Sequence, residues 1–221
     1  MAACLCLCQA FPAFAQEPPP PNQPASEAEA ADQRPGRLFG VLPNVATVEE
    51  GVAASPVTTK QGFTFATEDS FDKVVFPFVA VVAKLGVGQP SEPYWKRYTT
   101  ALADNTAGNF MVTAVLPAVF HQDPRYFVLG TGSIWHRAYY AASRTVVTRS
   151  RDGRPQFNVS EIGGNALAGL FSDAYYPAAE RSASKTLARA GSQVMWDTLS
   201  AEAKEFWPDI RRTLHRTFHR E

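Results

Sequence analysis

The chain has 221 residues, 21 of them basic and 21 acidic, with 45% hydrophobic residues and a mean hydropathy of −0.18. Zero formal net charge excludes a chain built to coat nucleic acid. All three cysteines, Cys4, Cys6 and Cys8, lie at the very start, so the remainder has neither a disulfide framework nor a thiol nucleophile.

Residues 1–15 read as a secretory signal peptide: an uncharged, mostly apolar run ends in Ala13-Phe14-Ala15 ahead of Gln16, a small-x-small cleavage pattern. The basic segment that normally opens such a signal is missing, so the leader reads as truncated. Cys8 is followed by Gln9 and more apolar residues instead of standing at the cleavage point, which argues against lipid attachment. Residues 16–36 read as a disordered linker, rich in Pro, Ala and Glu, with too little apolar surface to offset the entropy of ordering. Glu17, Glu27, Glu29 and Asp32 sit in it, and every basic residue follows Gln33, so the part after Gln33 carries 21 basic against 17 acidic residues, a balance of +4. That mild surplus suits an anionic envelope surface and falls far short of nucleic-acid binding.

Residues 37–221 are expected to form a single compact multi-helix bundle, mainly α, of about seven helices. A first helix is capped at Thr58 or Thr59 and covers residues 60–67. A second runs over residues 71–85, capped by Asp69 or Ser70, bent at Pro77 and stopped by Gly86-Val87-Gly88. A third begins after Glu92-Pro93 and reaches about His121, meeting Pro117 in its last turns. Residues 122–132 read as a loop. The fourth helix opens at Ser133 and continues to about Arg149, with an apolar face of Trp135, Ala138, Tyr139, Ala142 and Val146. Asp152-Gly153-Arg154-Pro155 is a turn, the tip of a small hairpin. A fifth helix runs from a Ser160 cap to Ala174; Pro177 opens a sixth that extends towards Leu199, and a seventh starts at Ala201.

The longest uncharged stretch of this domain, residues 105–120, is sixteen residues long, short of the roughly 20 that span a bilayer. Several helices are nevertheless apolar on more than one side and rich in small residues, among them Gly108, Ala114, Gly163, Gly164, Ala168 and Gly169, which permit close backbone approach. Asn105, Asn109 and Thr113 recur at four-residue steps, and Asn165 stands in a small-residue helix. Buried amides need partners, so these side chains are expected to bond between helices in preference to forming a polar pocket.

The best candidate for chemistry is His121-Gln122-Asp123-Pro124-Arg125-Tyr126-Phe127. There His121 would be a base, Asp123 its orienter and Arg125 or Arg137 an anion clamp, with His136 and Glu161 completing the site if the fold brings them near. The competing expectation is a web of internal ion pairs in which Arg137 and Arg144, seven apart on one helix, meet Asp123, Glu161 or Asp173. Ser182-Ala183-Ser184-Lys185 matches a penicillin-recognising tetrapeptide but lacks its companion motifs. His215 and His219 have the spacing of a zinc helix without the Glu that the metalloprotease motif requires. At the C-terminus Phe206, Ile210, Leu214 and Phe218 form an apolar ridge flanked by Arg211, Arg212, Arg216 and Arg220, a basic amphipathic helix able to lie on anionic lipid or to dock as core.

Arg37-Leu38-Phe39-Gly40-Val41-Leu42-Pro43-Asn44, the heptapeptide 121–127, Gly130-Thr131-Gly132-Ser133, Ser160-Glu161-Ile162 with Gly164-Asn165, and Phe206-Trp207-Pro208-Asp209-Ile210 together resemble a set of exported bacterial proteins without an established activity. The resemblance covers nearly everything after Pro35. It implies an envelope location and implies that residues 37–44 belong to the domain; it supplies no catalytic residue and no cofactor. The expected function is therefore a non-enzymatic helical protein on the periplasmic side of the outer membrane, of structural or lipid- or partner-binding type. Its partner would be envelope lipid or an envelope protein, not nucleic acid. The alternative is a small periplasmic hydrolase or metal-dependent enzyme using His121, Asp123 and His136.

Overall fold

A computed structural model describes residues 37–218 apart from 39–42, 53, 86–88 and 90. The expected leader and linker, the Gly86-Val87-Gly88 stop, His219 and Arg220 lie outside these residues, as do the side chains of His215 and Phe218. The described chain is mainly helical, with six α-helices and two small sheets.

Helix α1 (Thr59–Ser70) opens with a reciprocal cap: Gln61 N–H donates to Thr58 Oγ1 at 3.2 Å and Thr58 N–H donates to Gln61 Oε1 at 2.8 Å. Its buried stripe is Gly62, Ala66 and Ser70, all small. Helix α2 (Val75–Leu85) starts four residues later than expected. Asp72 Oδ1 accepts the Val74 N–H, and Arg37 holds the same carboxylate with two bonds of 2.9 and 2.7 Å. Pro77 therefore falls in the first turn, where no intrahelical N–H is required of it.

Helix α3 is continuous over three segments: α-helical Tyr94–Asn109, π-helical Phe110–Val115 and α-helical Leu116–Phe120. At the end of the π turn Leu116 N–H reaches back to Met111 O, and Pro117 follows, tolerated at the start of the last segment. His121 closes the helix in the left-handed region at φ 54°, the sole non-glycine residue among those described to do so.

Residues 122–132 are not a plain loop. They supply β2 (Gln122–Asp123) and β3 (Tyr126–Phe127); β3 pairs in parallel with β1 (Thr47–Val48), and β2 pairs antiparallel with β4 (Val147–Ser150). The turn at Gly153 joins β4 to β5 (Pro155–Phe157), which is the expected hairpin. Helix α4 (Ile134–Ser143) ends well before Arg149, because residues 145–148 are four β-branched residues in succession and their backbone turns into a strand.

Helix α5 (Val159–Ser172) is capped by Asn158, two residues ahead of the expected Ser160; Asn158 Oδ1 accepts the Glu161 N–H at 3.0 Å. It lies between α3 and α6 (Ala183–Phe218). A Cβ at Gly164 would lie 2.8 Å from Val112 Cγ2, and one at Gly169 3.2 Å from Thr186 O, so α5 touches both neighbours backbone to side chain or backbone. The sixth and seventh helices of the sequence reading are one: no glycine or proline separates Leu199 from Ala201, and α6 runs on through Pro208. Pro177 precedes only a short 3-10 turn, Ala178–Glu180.

The expected apolar face of α4 is the outer one. Trp135 is 85% exposed and Tyr139 and Val146 are also exposed, whereas Arg137, Tyr140 and Ala141 are buried. The cause is Glu205 of α6, which is 0% exposed. Its carboxylate accepts from Tyr126 OH (2.8 Å), Leu129 N–H (2.9 Å), Gly130 N–H (3.0 Å) and Arg137 Nε (2.8 Å), and Arg137 also pairs with Asp209. Tyr126, Val128, Tyr140 and Ala141 pack around this group as a small apolar cluster.

Removing one partner of an enclosed ion pair leaves the other charge uncompensated. Glu205→Ala is expected to destabilise the fold by about 3–5 kcal/mol in urea denaturation, and Arg137→Met added to it should cost less than Arg137→Met alone, since the orphaned guanidinium is then gone.

Candidate functional site

Where α1, α2, α3, α5 and α6 meet, their side chains stand apart around a half-open cavity of about 510 Å³, lined in part by exposed Phe78 and Trp196. Its polar wall is built from regular spacings. Helix α6 presents Gln193, Asp197, Ser200 and Lys204 at steps of four, three and four; α3 presents Asn105, Asn109 and Thr113; α5 presents Ser160, Glu161 and Asn165 from its first two turns; α1 adds Asp69. Val75, Phe78, Val112 and Trp196 form an apolar wall. Tyr140, Arg144 and Arg149 line it as well.

Asn165 Nδ2 donates to Glu161 Oε1 at 3.0 Å and to Asp197 Oδ2 at 3.2 Å, placing the two carboxyl groups side by side. Burial pushes the Glu161 carboxyl up to about 9, and the neighbouring Asp197 charge and a hydrogen bond between the two acids add to the shift. Burial also raises Asp197, and Asp69 is raised by burial against the opposing pull of Lys204. Asp69 and Asp197 keep some free surface deep in the bundle, as expected of groups that line a cavity. At neutral pH the Glu161–Asp197 pair thus holds a proton between its two oxygens. Asn109 Nδ2 donates to Ser70 Oγ at 3.2 Å across α3 and α1, so the expected interhelical amide bonds exist, and the polar pocket exists beside them.

The heptapeptide 121–127 is organised differently from the acid–base arrangement. Asp123 is buried and clasped by Arg125: Oδ1 accepts the Arg125 backbone N–H and Nε at 3.0 Å each, and Oδ2 accepts Nη2 at 2.7 Å. Arg125 Nη2 donates further to Ser55 O at 2.7 Å. His121 and His136 are exposed, and among the described residues no three His, Cys, Asp or Glu side chains gather to hold a metal ion. The segment ties a loop to the bundle.

The ion-pair web is present with other partners than expected. Arg137 meets Glu205 and Asp209, and Asp173 meets Arg189, whereas Glu161 has no arginine partner among the described residues and hydrogen-bonds to Asn165 and Asp197. Arg144 stacks over Tyr140 at 4.5 Å, its Nε unpartnered, and burial lowers its pKa. Ser182 and Lys185 are exposed, the lysine bonded to Ala179 O and Glu180. On α6 Arg211, Arg212, Leu214 and Arg216 are exposed; Arg211 lies 3.6 Å from Glu49 and Arg212 3.4 Å from Asp209.

Asp69, Asp197 and Lys204 did not stand out in the sequence. The usable signal was the polar stripe 193, 197, 200, 204, visible only if residues 183–218 are read as one helix. In comparisons with known proteins, no family model, no curated protein and no solved structure matches the chain.

A carboxyl whose pKa is raised by folding keeps a proton that the unfolded chain releases, so its contribution is intact below the unfolded value and is lost as pH climbs towards the folded one. The protein should lose stability between about pH 5 and about pH 9, with a slope approaching about 1.4 kcal/mol per pH unit for one proton. Glu161→Gln keeps an acceptor for Asn165 without the charge; its melting temperature should be flatter over that range and higher than wild type at the alkaline end.

Proposed function

We propose that the protein is a non-enzymatic, exported helical protein that associates with lipid on the periplasmic side of the outer membrane. The observation that carries this reading is an inverted distribution of polarity. The largest fully enclosed side chains are Gln89, Gln122, Glu205, Asn165 and Ser70, all polar, while 25 large apolar residues are exposed among those described. Scattered apolar residues on a surface are ordinary, but contiguous ones mark a contact. Here they follow one another along helices: Phe76, Val81 and Leu85 on α2, and Ile162, Leu167, Leu170 and Phe171 on α5.

Packing by small residues at the helix contacts, with hydrogen-bonding groups between helices and large apolar ones outside, is the economy of helices that meet lipid. Among the described residues no helix is long and apolar enough to cross a membrane. The contact is accordingly with one leaflet, where helices lie in the interface. Helix α2, with 11 residues, is about 16 Å long and carries Lys84 alone as a charged residue. Exposed Arg211, Arg212 and Arg216 at the end of α6 supply an attraction to anionic headgroups.

Flotation with vesicles of phosphatidylethanolamine and phosphatidylglycerol tests the contact. The protein should rise with the vesicles and the emission of exposed Trp95 and Trp135 should shift to the blue. Val81→Ser with Leu85→Ser, both on the surface, should lower partitioning by about tenfold or more. A protein that stays unbound and monodisperse without detergent would end the lipid reading. Native material should begin at Gln16 and fractionate with the outer membrane; recovery wholly in a soluble periplasmic extract at moderate salt would end the placement.

A further inference from the structure

Lipid association leaves the acid and amide end of the cavity unexplained. Asp69, Glu161 and Asp197 line it together with one ammonium, Lys204, which acts on all three through its charge alone. A second observation concerns Asn165, which is 1% exposed. Its Nδ2 is spent on the two carboxyls, which fixes the orientation of the amide, and its Oδ1, an enclosed acceptor on the cavity wall, receives no donor. The enclosed Ser160 hydroxyl and Asn105 Nδ2 on the same wall also lack partners. Beside them Gly108 leaves room: a Cβ there would stand 3.8 Å from Asn165 Oδ1 and 3.7 Å from Gln193 Nε2. An enclosed acceptor without a donor is the mark of a group awaiting one.

We propose that this end of the cavity binds a small organic molecule with a primary ammonium group and a short apolar body. The ammonium, which has three donors and no acceptor, donates to Asn165 Oδ1 and to the oxygens of Glu161 and Asp197, while the body lies along Val112, Phe78 and Trp196. A volume of about 510 Å³ lies within the roughly 300–1,000 Å³ range of small-molecule sites, and the occupant proposed is a small free amine. Binding replaces the proton held between Glu161 and Asp197, which leaves to solvent. Lys204 on α6 is the cation that acts on the pair, and Asp69 on α1 is an anion beside it, backed by Glu68 and Asp72; Asp123, Arg125, Arg144 and Arg149 also line the cavity, whereas α3 contributes neutral Asn105, Asn109 and Thr113, and α2 Val75 and Phe78.

The test is calorimetric titration of the purified protein with n-hexylammonium and with hexan-1-ol, in buffers of different ionisation heat. Hexylammonium should bind once per chain, release close to one proton near neutral pH, and bind up to about tenfold more tightly per pH unit on the way to about pH 9. Hexanol should bind at least about tenfold more weakly. Gly108→Ala is the steric probe: its methyl fits at ordinary contact distance and favours the helix, so its melting temperature should match or exceed wild type while amine affinity falls at least about fivefold. Asp197→Asn should abolish proton release. Equal binding of the alcohol, binding without proton release, or undiminished affinity in Gly108→Ala would each overturn the proposal. Gly108 is buried, and Val81 and Leu85, the residues changed in the vesicle test, do not line the cavity, so vesicle binding reads the lipid association separately.

Discussion

An enclosed carboxylate, Glu205, governs how the rest of the chain is arranged. Four donors from β3, the loop after it and α4 converge on its two oxygens, and none of them is replaceable by water, because the group has no exposed surface. A buried charge is tolerated only when paired and fully hydrogen-bonded. Once Glu205 is inside, Arg137 must be inside, and with it the Arg137, Tyr140 and Ala141 side of α4. The remaining side of that helix, with Trp135 and Tyr139, is turned outward. The same anchoring sets the rotation of α6, and Lys204, Ser200, Asp197 and Gln193 point where the cavity opens.

Close packing and the cavity are complementary consequences of residue size. Where α5 carries glycine, the helices touch: Gly164 meets Val112 within the π segment of α3, and Gly169 meets Thr186 of α6. Beside the Gly164 contact stand Glu161 and Asn165, and Asn165 bonds both to Glu161 on its own helix and to Asp197 of α6. The π turn contributes as well. It widens the helix locally, and both Val112 and Thr113 consequently line the cavity while Thr113 O lies close to Gly62 of α1.

The helical class, the Thr58 cap, the hairpin at Gly153 and the small-residue contacts were legible because each depends on local spacing or backbone chemistry. What escaped depends on partners remote in sequence. Residues 122–127 become strands only because β1 and β4 lie beside them, and the inner side of α4 is set by a carboxylate 68 residues away. Periodicity arguments assume that apolar means inside. In this chain that assumption fails on α4, since its polar residues are the ones with obligatory internal partners. Within the candidate site, Asn109, Asn165 and Glu161 were visible as polar residues in apolar or small-residue helices, whereas Asp69 read as a helix cap and Asp197 and Lys204 carried no reading.

Charge balance inside the molecule explains why the cavity differs from the other polar contacts. Asp72 has Arg37, Asp123 has Arg125, Asp173 has Arg189 and Glu205 has Arg137. Asp104 lacks a guanidinium but takes hydroxyl donors from Ser172, Tyr175 and Tyr176 at 2.5, 2.5 and 2.6 Å. Each of those carboxylates is satisfied by the protein itself. Asp69, Glu161 and Asp197 share one distant ammonium, and the fold meets the deficit by retaining a proton. Protons bound for that reason are exchangeable for any cation that fits, in proportion to how well its donors match the waiting acceptors. The cavity is where the chain has left its electrostatic account to be closed from outside, and the mismatch sits at the junction of five helices, where occupancy bears on all of them at once.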